Sequence, residues 1–310
     1  MNLSLPRSFP IAKAALAAAV IACVVALTCS LTGCASGGTD GSSADADNTS
    51  ASTDGKALRV AMELAYPPFE TKDDAGNPEG LAVDFIRDFG AAYGYDVQIE
   101  NTAWDGLIPS LQSDKADLVI SSMTITDERK QSVDFSDAYA MAQLAILANA
   151  DSGVASIDDL NQPGKKVAVK TGSTGDVYAT KNLTNAEIVR LADESACVTE
   201  VVQGKADGFL YDQLTIYRNH QANPDTTEAV FIPFQDRESW GIAVAKGNDE
   251  LLAQLNEFIA QSKADGEFDR LTEKHLADEK AAFDELGFKW FFDFESVSYT
   301  HLRAHETRGN

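Results

Sequence analysis

A chain of 310 residues with 48 acidic and 25 basic residues has a formal net charge of −23 at pH 7. Nucleic acid binding requires basic patches that neutralise phosphates, so this charge argues against that class of partner. The length beyond the N-terminal segments suits two modest lobes better than one large core, and the acidity is typical of an exported soluble domain.

The first 33 residues have the pattern of a secretory signal. Arg7 and Lys13 precede an apolar run over residues 14–27, which is too short to be a good transmembrane span. Residues 31–34 read LTGC and match the lipobox of bacterial lipoproteins, in which the cysteine is acylated, with palmitate among its chains, and becomes the new N-terminus. We therefore predict that this segment is cleaved and that Cys34 carries lipid.

The four cysteines agree with this interpretation. Cys23 and Cys29 leave with the signal and Cys34 is lipidated, so Cys197 remains without a partner in its own chain. No disulfide is expected to support the fold, and the apolar neighbours of Cys197 indicate a buried, inert thiol.

Residues 34–56 are predicted to be the lipidated cysteine and a flexible tether. After Cys34 this segment contains Gly, Ser, Thr, Ala, Asp, Asn and one Lys but no large apolar side chain. Such a segment buries too little surface to offset the entropy of ordering its chain. Folded structure is therefore expected from about residue 57.

Strand and helix patterns alternate over the next 65 residues or so. The elements predicted in chain order are a strand at 58–62, a hairpin turn at 73–78, a helix at 81–93, a strand at 97–100, a helix at 104–111 and a strand at 116–120. This βαβαβ order predicts an α/β lobe.

Hydroxyl side chains and a guanidinium follow the last of these strands. Ser121, Ser122 and Thr124 come where the strand should end, and Thr126 or Asp127 reads as the N-cap of a helix that contains Arg129. Ligands of open α/β sheets bind at the carboxyl ends of strands. An arginine can present two parallel N–H groups to a carboxylate, so a ligand with a free carboxylate is predicted here.

A second lobe is predicted after a buried strand at 143–149. A strand at 165–169 leads into the Gly-rich turn 171–175, which lacks the Gly-Lys-Ser/Thr ending of a nucleotide site but can seat an anion at the next helix start. A helix is predicted at 194–205. The segment KADGFLYD (205–212) then repeats the strand-then-polar pattern of KADLVISS (115–122).

The chain is expected to return to the first lobe through a strand at 238–244. An amphipathic helix follows at 250–264. Two crossings make a hinge, and the cleft between lobes joined in this way is the natural place for a ligand. The first lobe would comprise 57–145 and 238–280, and the second 146–237.

The tail from residue 281 is rich in Phe and Trp, which suit packing on the first lobe or a further unit. Residues 298–310 match no expected element and are expected not to be native sequence. His301 and His305 have the i, i+4 spacing of metal ligands, but we expect no metal site.

Five segments together resemble the family 3 extracellular solute-binding proteins of ABC transporters, which bind polar amino acids. They are AYPPFE (65–70), NTAWDGLIPSLQSDKADLVI (101–120), SSMTITDERKQSVDFSDAY (121–139), KKVAVKTGST (165–174) and SKADGEFDRL (262–271). The resemblance implies a two-lobed periplasmic-binding-protein-like fold of type II with two hinge crossings, the first of them made by the strand at 143–149. It also implies a monomer without cofactor that is held at the outer face of the cytoplasmic membrane and is recognised by a membrane permease.

The same resemblance implies roles for individual residues. Arg129 matches the clamp of the ligand α-carboxylate, and Asp212 matches the second-lobe acceptor of the α-ammonium. The residues expected to assist the clamp and the acceptor, or to flank the ligand side chain, are Glu63, Tyr66, Trp104, Ser121, Ser122, Thr124, Ser173 and Thr174.

The ligand side chain is expected to depend on Glu63. The first expectation is a cationic amino acid (lysine, arginine, ornithine or histidine), because an ionised, inward-facing Glu63 attracts a cation. The alternative is glutamine or another neutral polar amino acid, expected if Glu63 faces solvent or is held by a neighbouring donor.

Binding without turnover is expected, and an enzyme and a sensor are the two alternative classes. Cyclohexadienyl and arogenate dehydratases share this fold, and conversion of prephenate or arogenate to an aromatic product would identify one. An amino acid sensor would need a transmembrane helix and a signalling segment, which the sequence does not contain after the lobes.

Overall fold

The computed structural model describes residues 55–294, which fold into a mixture of strands and helices. The strands are β1 (Lys56–Met62), β2 (Thr71–Lys72), β3 (Pro78–Glu79), β4 (Tyr95–Asn101), β5 (Leu118–Val119), β6 (Val133–Phe135), β7 (Ala140–Ala142), β8 (Leu144–Asn149), β9 (Lys166–Lys170), β10 (Glu187–Leu191), β11 (Gly208–Asp212), β12 (Thr227–Val230), β13 (Glu238–Trp240) and β14 (Ala243–Ala245). The helices are α1 (Leu81–Tyr93), α2 (Leu107–Gln112), α3 (Ile157–Leu160), α4 (Thr174–Asn182), α5 (Glu194–Val202), α6 (Gln213–Ala222), α7 (Asp249–Asp265), α8 (Glu267–His275) and α9 (Ala277–Leu286).

The first lobe is built on a sheet in the order β4-β1-β5-β14-β6. β1 pairs in parallel with β4 and β5, and β14 runs antiparallel to β5 and β6. The two faces of β1 are both covered, because Val60 and Met62 belong to the core that includes α1, whereas Ala61 lies with Leu107 and Leu111 of α2. Helices on both faces explain why this strand is apolar at successive positions.

The second lobe repeats this topology. Its sheet has the order β10-β9-β11-β8-β12, with β9 parallel to β10 and β11, and β8 antiparallel to β11 and β12. The two similar segments of the sequence place β5 and β11 at the centre of their respective sheets. The carboxyl ends of β5 and β11 therefore both point toward the space between the two lobes, where Ser121, Ser122 and Asp212 lie.

Two short strands connect the lobes. β7 and β13 pair antiparallel, with Glu238 opposite Ala142 and Trp240 opposite Ala140. The expected crossing strand at 143–149 is corrected by the structure, because β8 lies wholly within the second sheet and β7 makes the crossing. The expected return strand is divided in two, since β13 pairs with β7 and β14 with the first sheet.

The aromatic tail packs against the first lobe and the crossing strands. Phe283, Trp290 and Phe291 are at most 3% exposed and lie in its core. The Phe291 ring lies 5.2 Å from that of Phe69 and 5.3 Å from that of Trp240, measured between centroids. The tail up to residue 294 is therefore part of the folded body.

Several predictions concern residues that the structure does not describe. The signal segment, Cys34, most of the tether and the end of the chain with His301 and His305 lie outside residues 55–294. Within that described range, no helix is both long and apolar enough to span a bilayer. Cys197 is described, and it is free and buried. Burial raises the pKa of its thiol to about 12, as expected for an inert residue.

Candidate ligand-binding site

A cavity of about 500 Å³, counted to its open mouth, lies between the two lobes. The ten site residues predicted from the sequence all line it: Glu63, Tyr66, Trp104, Ser121, Ser122, Thr124, Arg129, Ser173, Thr174 and Asp212. Six further lining residues were not predicted: Glu70, Ala142, Leu144, Tyr211, Glu238 and Trp240.

Arg129 lies in a single turn of 3₁₀ helix, and the predicted α-helix is wrong. The turn spans Arg129–Gln131 and is followed closely by β6, which begins at Val133. A longer helix does not fit, because Val133 must pair with β14 in the sheet. The N-cap of this turn is Glu128 rather than the expected Thr126 or Asp127, although Oγ1 of Thr126 accepts a hydrogen bond of 3.2 Å from the backbone N–H of Arg129.

The Arg129 guanidinium is held between the lobes. Nη1 donates to the carbonyl of Thr124 in the first lobe at 2.7 Å, and Nη2 donates to the carbonyl of Gly172 in the second at 3.0 Å. Its Cζ lies 5.2 Å from the centroid of the Trp104 ring. Burial lowers the pKa of Arg129, while the nearby charge of Glu238 acts against that shift. Arginine remains protonated in proteins, so the cleft holds a fixed cation.

Backbone donors converge on the same part of the cleft. Ser173 is the N-cap of α4, and its hydroxyl accepts from the N–H of Asp176 at 3.2 Å. Thr174 is the first residue of that helix, where N–H groups have no acceptor inside the helix and the helix dipole is positive. Together with Arg129, this helix start forms a seat suited to a carboxylate.

Asp212 presents a buried carboxylate oxygen from the second lobe. The residue is 5% exposed and caps α6, with Oδ1 accepting from the N–H groups of Leu214 at 2.9 Å and Thr215 at 3.1 Å. Among the described residues, its Oδ2 has no hydrogen-bond partner, and neither has the hydroxyl of Tyr66. Burial raises the pKa of Asp212, while the facing Tyr66 hydroxyl and the capping N–H groups oppose that rise. An ammonium group would supply the donor that Oδ2 lacks.

Glu63 is paired across the cleft, as in the alternative in which a neighbouring donor holds it. Its carboxylate forms an ion pair with Lys170 at the end of β9 in the second lobe. Lys170 is 3% exposed, and its Nζ lies 5.1 Å from the centroid of the Trp104 ring. The ring of Trp104 therefore contacts two cations, Arg129 and Lys170, and lines the cleft rather than only filling the core.

Glu70 is a buried acid that sequence reasoning missed. It is 1% exposed, and the hydroxyl of Ser122 donates to its Oε2 at 3.1 Å. Its backbone pairs with that of Tyr66 in both directions, at 2.8 and 2.9 Å. Burial raises the pKa of Glu70 well above its usual value, while the hydrogen bond from the Ser122 hydroxyl acts against that rise. The AYPPFE motif contains this residue, but only the paired backbone brings it beneath the cleft.

The other unpredicted lining residues belong to crossing strands or strand ends. Glu238 and Trp240 lie on β13, whose sequence indicated only a return strand. Tyr211 precedes Asp212 on β11, and its ring lies 6.3 Å from that of Tyr66. Their part in the cleft depends on how the crossing strands meet the lobes, which no local pattern encodes.

Known proteins of similar sequence share one family. Residues 58–278 match bacterial extracellular solute-binding proteins, family 3. A protein of Neisseria gonorrhoeae named "probable histidine-binding protein" is 35% identical over 232 residues, which cover 74% of this chain and 86% of that protein. An L-cystine-binding protein of Escherichia coli (strain K12) is 32% identical over 219 residues, covering 70% and 81%.

Solved structures agree with the sequence comparison. An ancestral arginine-binding protein bound to glutamine superposes with a TM-score of 0.66 at 36% identity, covering 72% of this chain and 98% of that one. The ancestral amino acid-binding protein AncCDT-1, a precursor of cyclohexadienyl dehydratase, gives a TM-score of 0.65 at 38% identity, covering 71% and 94%. These similarities confirm the predicted two-lobed α/β fold.

Proposed function

Since the chain belongs to the bacterial extracellular solute-binding proteins of family 3, we propose that it binds a free polar L-amino acid as the substrate-binding component of an ABC importer. The family resemblance drawn from the sequence motifs is thereby confirmed. One observation carries the ligand assignment: the cation of Arg129 and the unpartnered Oδ2 of Asp212 line the same cavity. These two groups complement the carboxylate and the ammonium of a zwitterion.

Binding is coupled to closure in this proposal. Arg129 belongs to the first lobe and Asp212 to the second, so each lobe alone leaves half of the zwitterion without a partner. A ligand that is fully paired only between the lobes stabilises the closed state through its differential contacts. The membrane permease would recognise that closed state. Binding without turnover is also supported by the two relatives described above, which are named as binding proteins rather than enzymes.

A neutral polar side chain is the ligand class that the Glu63–Lys170 pair favours. A cationic ligand would have to displace Lys170 from Glu63, which would leave a buried ammonium without its partner. An unpaired buried charge is costly, and the tethered Lys170 has a high effective concentration beside Glu63. Lysine and arginine are therefore disfavoured, and glutamine becomes the representative ligand.

Titration of the protein with L-glutamine, L-arginine and L-glutamate tests this assignment. Glutamine is expected to bind best, and at 100 times its dissociation constant it should add about 2.7 kcal/mol to the free energy of unfolding. In Glu63→Gln the ammonium of Lys170 loses its counter-charge, so glutamate should gain affinity relative to glutamine. Calorimetry gives both sets of constants.

The outcomes separate the two levels of the proposal. No heat with any of the common amino acids would contradict amino acid binding itself. A wild-type protein that prefers arginine, with a preference that Glu63→Gln weakens, would instead show that Glu63 receives a ligand cation. Asp134→Asn, which removes the acid of a surface pair with Lys246 and changes the net charge by the same amount, is the control for a general change in charge.

We also propose that Cys34 is lipidated and holds the protein at the outer face of the cytoplasmic membrane as a monomer. The LTGC sequence after an apolar signal supports this anchor, and the family is extracellular. In Cys34→Ala the protein should be found in the soluble fraction or remain unprocessed, as membrane fractionation and the mobility of the band would show. A variant that is processed and retained like the wild type would refute the anchor.

A further inference from the structure

Glu238 connects the two lobes from its place on the crossing strand β13. Its Oε2 accepts from the hydroxyl of Thr124 in the first lobe at 3.0 Å and from the hydroxyl of Thr174 in the second lobe at 2.6 Å. Its Oε1 accepts from Nε2 of Gln235 at 2.6 Å. A single carboxylate oxygen therefore bridges the two faces of the cleft.

The Glu238 carboxylate lies near the Arg129 guanidinium but does not form an ion pair with it. Among the described ion pairs none includes Glu238, although its charge reaches Arg129 closely enough to oppose the lowering of the arginine pKa by burial. A carboxylate beside a seat for another carboxylate repels the ligand, so its presence there is a cost to binding that another role of Glu238 would have to offset. Hydrogen bonds from three neutral donors hold it in place without using the cation that the ligand needs.

Opening the cleft must break at least one of the two threonine bonds. Thr124 and Thr174 belong to different lobes, and Oε2 cannot remain within hydrogen-bond distance of both after the lobes separate. The other contacts across the cleft, from Arg129 to the Gly172 carbonyl and from Lys170 to Glu63, indicate that this structure is closed. The bridge therefore exists in the closed state only.

We infer that Glu238 is a positioning residue that makes closure of the lobes and alignment of the carboxylate seat a single event. This inference rests on the proposed binding of an amino acid at Arg129. Because the two hydroxyls donate to Glu238, the threonines are held in place, and the helix start at Thr174 is fixed beside Arg129. The ligand then meets a seat that closure has already aligned, which reduces the ordering that binding must supply.

Tryptophan residues provide a direct reporter of closure in the full chain. The protein has three, of which Trp104 lies in the cleft with Lys170 of the other lobe 5.1 Å from its ring centroid, whereas Trp290 is buried in the first core. In protein labelled with 5-fluorotryptophan, the ¹⁹F resonance of Trp104 should report closure and that of Trp290 should not. Replacement of each Trp by Phe assigns the resonances.

Glu238→Ala is expected to shift the ligand-free Trp104 resonance toward an open form and to weaken L-glutamine binding by roughly 10- to 100-fold, the range for losing hydrogen bonds to a charged group. Glu238→Gln keeps an acceptor oxygen and should restore most of both properties. Thr174→Val, which removes one donor without changing shape, should act in the same direction. Its effect should be lost when Glu238→Ala is already present.

Thr180→Val is the matched control, because Thr180 lies on the same helix α4 but donates to Asp176 within its own lobe. It should leave the Trp104 resonance and the glutamine affinity unchanged. If Glu238→Ala unfolds, as a shifted Trp290 resonance would show, Thr174→Val decides the matter, since it leaves β13 intact.

The inference is overturned if Glu238→Ala or Thr174→Val has the wild-type Trp104 resonance and affinity, or if the effects of the two substitutions simply add. The ligand-free spectrum needs no amino acid. A wild-type protein that binds no amino acid would refute the proposed function, while the spectra of the variants would still decide whether Glu238 controls closure.

Discussion

Replacing Arg129 by alanine should weaken amino acid binding by about 30-fold to several thousand-fold while the protein remains folded. The guanidinium is the cation at the carboxylate seat, and removing one partner of a buried charge pair costs roughly 2 to 5 kcal/mol. The fold should tolerate the change, because no residue of the 3₁₀ turn that contains Arg129 is fully buried. The guanidinium donates hydrogen bonds only to the carbonyls of Thr124 and Gly172 among the described residues. Calorimetric titration with L-glutamine measures the loss.

Two further variants make this result specific. Arg129→Lys keeps the charge but loses the planar fork, so its affinity should lie between those of the wild type and the alanine variant. Arg190→Ala removes a guanidinium that pairs with Asp176 in the second lobe, and it should bind like the wild type. Near wild-type affinity in Arg129→Ala would remove this residue from the ligand site.

Replacing Asp212 by asparagine should produce a loss of the same order from the opposite lobe. The substitution removes the negative charge that faces the ligand ammonium and places an amide at the position of the unpartnered Oδ2. Helix α6 should persist, because asparagine caps helices about as well as aspartate and its oxygen can still accept from the N–H groups of Leu214 and Thr215. The same titration, together with a thermal melt, separates binding from stability.

Asp193→Asn is the control for the change in charge at a helix cap. Asp193 caps α5 in the same lobe, accepting from the N–H of Ala196 at 2.8 Å, but it does not line the cleft. It should bind glutamine like the wild type. If both variants bind equally well, Asp212 serves only as a cap and the ammonium has another acceptor.

Much of the fold could be predicted because its patterns are local. Helix α1 was predicted with its observed ends, since its apolar face is periodic and Gly94 supplies the left-handed conformation that ends it. The cleft was located from polar side chains at the ends of β5 and β11, which occupy the same position in two equivalent sheets. Local sequence patterns and strand order were therefore sufficient to predict the secondary structure around the cleft and the strand ends at which the cleft lies.

The electrostatic partners in the cleft could not be predicted in the same way. Glu63 and Lys170 are 107 residues apart and meet only because two separate lobes close on each other. Glu238 reads as one polar residue in a short strand until the hinge places it between Thr124 and Thr174. The helix expected around Arg129 failed for a related reason, since pairing between β6 and β14 limits the turn to three residues.

The family match ends at residue 278, but the folding unit continues beyond it. Phe291 covers the rings of Phe69 and Trp240 on the first lobe, and its carbonyl accepts from the N–H of Met141 on the crossing strand β7 at 2.7 Å. A recombinant protein truncated at residue 278 would expose to water the hydrophobic surface that Phe291 covers on Phe69 and Trp240. Exposed hydrophobic surfaces of this kind associate with each other. The first effect of the truncation would therefore be aggregation and insolubility during expression, before any change in ligand binding.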